Sequence, residues 1–193
     1  GISNVLPTAV FQKLTGAADY TDTVSAEEYA IRLYHATTDL TGDPSTEFPP
    51  TDCGSSGVQV AKELQQQGVI SSYKTAHGAT NIVSLMQSGG LLVGQPFFNS
   101  WMEPDSSGFI DGAGSPAALQ DAIASGVAGG HETFWAAVEK VTLDALGRVD
   151  AAKTVIRFRN SWSASWGMRG SGLVHLSTYV ALASYCDFRQ LVV

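Results

Sequence analysis

Two stretches of the chain carry side chains that could do chemistry. In "AGGHETFWAAV", His131 follows two glycines, and in "RNSWSASWGMRGSGLVHLS", Asn160, Ser161 and Trp162 precede Trp166 and Gly167. An imidazole can take or release a proton near neutral pH. A thiol could use such a base, and the chain has two, Cys53 and Cys186. Two cysteines are too few for a disulfide scaffold, and their wide separation permits either one long-range bridge or two free thiols. Each residue also has a plainer reading. A single histidine is more often a hydrogen-bonded structural residue than a base, Asn160 could be a turn residue after a strand, and Trp162 and Trp166 could be core aromatics.

Other chemistries find no support in the spacing. "HETFW" lacks the second histidine of a zinc-protease helix, Cys-x-x-Cys does not occur, and Asp43, Asp52 and Asp105 do not have calcium-loop spacing. "GSSG" and "GAGSP" lack the lysine and strand context of a phosphate loop and read as turns. His35, His77 and His175 are assigned to surface or packing roles. No cofactor and no metal are expected.

The elements that must position these residues change character along the chain. Helices are expected near residues 6–15, where Pro7 suits a first turn and Gly16 a stop, and near 26–36, where Ser25 and Glu28 have capping-box spacing. A third helix follows the Ser56/Gln59 box and ends at Gly68. "TNIVSLMQSGG" reads as a short helix, and "GLLVGQPFF" as a buried strand bounded by glycines. "SPAALQDAIASG" is a further short helix, with Ser115 as cap and Pro116 in the first turn. "TFWAAVEKV", "TVIRFRN" and "SGLVHLS" are strands by their β-branched and aromatic content, and "STYVALASYC" is a late helix. Within "FFNSWMEPD", Phe97 is expected in the core and Trp101 in a groove.

Composition bounds the function classes. Of 193 residues, 44% are hydrophobic and 15% charged, enough apolar surface to offset the entropy cost of folding. The net charge is −7 with no basic block, which argues against binding nucleic acid through its phosphates. No apolar run is long enough for a membrane helix, and the chain reads as soluble. The fold class is α+β: a helical N-terminal lobe (1–90) on a sheet-rich C-terminal lobe (91–193), one domain of two lobes sharing a cleft.

The two opening stretches together resemble the papain-like cysteine peptidases. "AGGHETFWAAV" is similar to that family's Gly-His strand start, and Asn160, Ser161, Trp162, Trp166, Gly167 and Gly170 match its Asn-Ser-Trp-Gly-x-x-Trp-Gly-x-x-Gly segment, with Ser163 in place of the usual glycine. "TDCGSSGVQVAKELQQQGVISSY" resembles a stretch of compact bacterial and viral members, so the likeness spans much of residues 25–180. The resemblance implies a papain-like fold with an antiparallel sheet lobe. It makes His131 the base, Asn160 the acceptor that fixes the ring, and Trp162 the shield over their bond.

The resemblance also places the family's nucleophilic cysteine at the start of the first long helix, and here that position falls on Pro7 or Leu6. Neither can attack a carbonyl, and "GISNVL" has no counterpart of the family's oxyanion glutamine. The reading is therefore a pseudopeptidase with a binding or structural role, as in a virion or cell-surface assembly, whether virion-associated or secreted. Its partner would be a protein or peptide in the interlobe cleft or an assembly partner. The alternative is an active cysteine peptidase whose nucleophile is Cys53 or a cysteine upstream of Gly1. In "DCGSSG" the family's cysteine position aligns with Ser56, which leaves too little chain before His131.

Overall fold

The computed structural model describes residues 23–38, 45, 48–52, 54–104 and 106–193. The helix expected over 6–15, with Leu6 and Pro7, lies outside the described residues, as does Cys53. Thr75–Gln190 forms one compact unit, and the described residues up to Lys74, together with Leu191–Val193, belong to a second.

In the second unit, α1 spans Thr23–Thr38 and α2 spans Gly57–Gln66. Helix α1 already includes Ser25, so the Ser25/Glu28 pair lies within the helix and does not start it. In α2 the expected cap is present: the Ser56 side chain accepts from Gln59 N, which satisfies one of the amides a helix start leaves bare. Gly68 follows with φ +69, the left-handed stop that glycine takes without steric cost. Ala61 and Leu64 are fully buried along one stripe of α2.

Among the described residues, six strands form one sheet in the order β1-β6-β2-β3-β4-β5. Their ranges are Ser72–Thr75 (β1), Leu91–Phe98 (β2), Val127–Lys140 (β3), Val155–Arg159 (β4), Ser171–His175 (β5) and Asp187–Val192 (β6). The pairs β2–β3, β2–β6, β3–β4 and β4–β5 are all antiparallel. Among the described residues, three helices accompany the sheet: α3 (Gly78–Met86), α4 (Pro116–Ala124) and α5 (Leu176–Ala181). Helix α4 starts as its sequence demands, with Ser115 Oγ accepting from Ala118 N at 3.1 Å and Pro116 in the first turn. The late helix is shorter than expected, because a separate 3-10 turn, Ala183–Tyr185, follows α5.

The core of this unit is aromatic. Trp135, Phe158, Tyr179 and Ile156 are fully buried, and Phe97 and Trp101 are 1% exposed. Full burial of such side chains contributes about 1.5–3 kcal/mol each. Phe97 thus takes its expected place, whereas the groove expected at Trp101 is corrected to core: its ring packs edge-on against Phe97 and Phe98 at 5.6 and 4.7 Å. Gly172 in β5 supplies the room these rings need. A Cβ there would lie 2.4 Å from Phe158 Cζ and 3.1 Å from Trp166 Cη2.

Gly172→Ala should therefore lower stability by about 1–3 kcal/mol through overpacking, seen as a lower urea midpoint with an unchanged slope. An unshifted midpoint would show that the two rings yield to a methyl group.

Candidate functional site

Strand β3 aims His131. Side chains alternate across a strand, and Thr133 and Trp135 face the core, so His131 points the same way. The strand is exposed from Val127 to Gly130, which leaves His131 only half-buried at the core's edge. Its partner across the β2–β3 register is Gln95, a buried polar residue within the apolar run of β2.

Asn160 follows directly after β4. Its backbone N–H donates to Gly170 O at 2.9 Å, closing the loop that leads into β5. The carboxamide oxygen accepts twice, from Ser161 N at 2.8 Å and from His131 Nε2 at 2.8 Å. A backbone amide can only donate, so the Ser161 bond identifies the atom facing it as oxygen, and the imidazole must then carry its proton on Nε2. In the neutral ring Nδ1 is left as an acceptor, the form a general base needs. No hydrogen bond to Nδ1 occurs among the described residues.

Aromatic rings enclose this pair. Trp162 stacks on the imidazole at 4.6 Å with 28° between planes, and Phe97 meets it edge-on at 5.2 Å. Phe97 also touches Trp162 at 5.1 Å, and Trp166 packs perpendicular to Trp162 at 5.7 Å. Trp166 is in turn pinned by its indole N–H, which donates to Met102 O at 2.8 Å. His131, Asn160 and Trp162 are thus brought together. Phe97, assigned to the core by its sequence, is also a wall of the site. Gln95 escaped attention, although a lone amide in "LLVGQPFF" was a visible break in an apolar strand.

The loop from Asn160 to Gly170 bends through left-handed backbone at Ser163 (φ 75), Gly167 (φ 51), Arg169 (φ 55) and Gly170 (φ 80). Gly167 is required by space as well, since a Cβ there would sit 2.5 Å from Ser171 O. Ser163 holds glycine's conformation without being glycine. Its hydroxyl lies 2.8 Å from Ser165 Oγ, which anchors the turn locally.

Burial lowers the pKa of His131 below its usual 6.5, and the hydrogen bond to Asn160 opposes that shift without overcoming it. The neighbouring Glu132 points to the opposite face. Its carboxylate lies over Gly94, and Gly94 pairs with Glu132 on one side and Asp187 on the other. Loss of hydration there, reinforced by the Asp187 charge, pushes Glu132 up to about 8 even though the residue as a whole is exposed.

The remaining expected residues are dispersed. Cys186 is a free thiol. Burial and the Asp187 charge push its pKa up to about 12, which leaves it protonated and unreactive at neutral pH. It lines a cavity of about 410 Å³ with Ile82, Tyr179, Val180, Phe188 and Arg189. The Ser56 hydroxyl is occupied as the α2 cap. His35 Nδ1 bonds Phe48 O, His77 is exposed at the start of α3, and His175 stacks on Phe109 and pairs through Nδ1 with Asp111 at 3.1 Å. No group of three or more His, Cys, Asp or Glu that could hold a metal occurs among the described residues. No helix among them is long and apolar enough to cross a membrane.

No family model and no curated protein matches the chain. Among solved structures it is similar to the bromelain protease from Ananas comosus in complex with the E64 inhibitor, at a TM-score of 0.43 and 13% identity, over 98% of this chain and 78% of that one. Likeness at that level leaves the site to its own geometry.

Two outcomes follow from that geometry. In ring NMR titrations His131 should titrate below 6.5, and Asn160→Ala, which removes the one opposing bond, should move it lower still. Because the native state binds this proton more weakly than the unfolded chain, its share of stability is complete above the unfolded pKa and is lost as pH falls through the native one. An upward shift in Asn160→Ala would contradict the assignment. Ser163→Gly should stabilise the protein by about 0.5 kcal/mol, relief of a left-handed side chain (about 1–2) outweighing glycine's added chain entropy (about 0.5–1). Thermal or urea unfolding measures it.

Proposed function

We propose that the chain is a papain-like pseudopeptidase: an α+β fold that keeps the histidine, asparagine and tryptophan of the catalytic scaffold and serves a binding or structural role. The observation carrying this reading is the His131–Asn160 bond under Trp162, the orienting half of a peptidase site, in a chain whose nucleophile position reads Pro7 or Leu6. The state of Cys186 supports it, since a thiol held protonated by burial is no nucleophile.

The partner in this reading is a protein or an extended peptide segment. Strand β4 pairs with β3 only from Phe134 onward, and no strand pairing to the other side of Val127–Thr133 occurs among the described residues. Val127 is 61% exposed, and beside Gly129 and Gly130 the space a side chain would fill is open. An exposed edge with bare glycines favours a partner that brings its own main-chain hydrogen bonds. A subunit of a virion or cell-surface assembly is the form this role takes in the proposal.

A second reading, an active cysteine peptidase, is favoured by the acceptor lone pair on His131 Nδ1, with Cys53 or an upstream cysteine as nucleophile. A thiol-directed epoxide probe and a panel of fluorogenic peptides separate the two. The pseudopeptidase shows no turnover above buffer, and its labelling is unchanged by His131→Ala. Labelling of Cys53 that disappears in His131→Ala, together with peptide hydrolysis, would establish the enzyme instead.

A further inference from the structure

The core of the Thr75–Gln190 unit contains polar atoms that its own side chains leave unmatched. Gln95 Oε1, Tyr179 Oη, Trp101 Nε1 and Trp135 Nε1 are buried and have no hydrogen-bond partner among the described residues. Both indoles lie against Tyr179. The Trp135 ring meets Tyr179 edge-on at 4.7 Å, and Trp101 is tilted against Tyr179 at 6.4 Å. The Gln95 carboxamide bears on the ionisation of the Tyr179 hydroxyl, although neither Gln95 Oε1 nor Tyr179 Oη has a hydrogen-bond partner among the described residues. Gln95 Nε2 donates to Thr133 Oγ1 at 3.4 Å.

The donor and acceptor types decide what can satisfy them. An indole N–H only donates, a carboxamide oxygen only accepts, and a phenol can do either. Two indoles cannot serve each other. Leaving such groups bare in a core this apolar is costly, and buried polar groups in native proteins are almost always paired with protein or with ordered water. Water both accepts and donates, and it is held where two to four polar partners converge.

We propose that an ordered water molecule is bound between β2, β3 and α5, accepting from the Trp135 indole and donating to Gln95 Oε1, with the Tyr179 hydroxyl as its third partner. Tyr179 also lines the cavity of about 410 Å³, which gives this water a path of exchange past that side chain. The site is separate from the His131–Asn160 bond, although Gln95 stands across the register from His131.

Two measurements on the wild-type protein test it. A high-resolution crystal structure should show a density peak within hydrogen-bond distance of both Gln95 Oε1 and Trp135 Nε1. In indole-labelled protein, the Trp135 N–H should give a cross-peak to bound water, while that of Trp166, bonded to Met102 O, gives none. Gln95→Leu should abolish the Trp135 cross-peak without altering the Trp166 resonance. A dry core in which Gln95 closes directly onto Tyr179, with no water cross-peak at Trp135, would overturn the proposal.

Discussion

The bond from His131 Nε2 to Asn160 Oδ1 is the constraint on which the site rests, and its two ends are fixed by different means. Strand alternation and the β2–β3 register determine where the imidazole points, so a slip of one residue would turn it to the opposite face with Glu132. The carboxamide is held by its own backbone, through Asn160 N on Gly170 O, and by Ser161 N on its oxygen. The bond forms only because a strand and a loop, each fixed independently, bring the two groups to the same place. Its half-burial then has an electrostatic consequence. Desolvation favours the neutral ring, so the geometry and the depressed pKa both select an imidazole with Nδ1 as acceptor.

Packing and chemistry share the same residues here. Trp162 covers the imidazole and also contacts Phe97 and Trp166. Trp166 closes over Phe158, and Phe97 reaches Trp101. Removing the indole at 162 would therefore bare the His131–Asn160 bond and loosen the core together. The glycines of this region follow the same rule, since Gly167 and Gly172 occupy places where a Cβ would collide with Ser171 O or the Phe158 ring. Ser163 is the exception, a side chain in glycine's backbone region, held by its neighbour Ser165.

What could be read in advance follows from the range of the forces involved. Caps are local, so Ser56 and Ser115 announced α2 and α4 correctly, and the apolar run from Leu91 to Phe98 announced β2. At Ser25 the same local signal misled, because α1 begins earlier and places that residue within the helix. Strands β1 and β6 were not anticipated. "SYKT" is short, polar and largely exposed, and "DFRQLV" sets charged residues on one face, so both depend on neighbours distant in sequence. His131, Asn160 and Trp162 were legible as a set because their spacing matched a known pattern. The wall at Phe97 and the amide at Gln95 were not, since a residue's place in a register is invisible until the register exists.

The same separation of ranges bears on how the site is held together. Every contact holding His131, Asn160 and Trp162 that has been described comes from residues between Gln95 and Gly170, all within one compact unit. A change at His131, Asn160 or Trp162 disturbs rings that also pack with the core. Packing alone can then account for the imidazole, amide and indole standing together. Their presence together is first of all a consequence of how the unit packs.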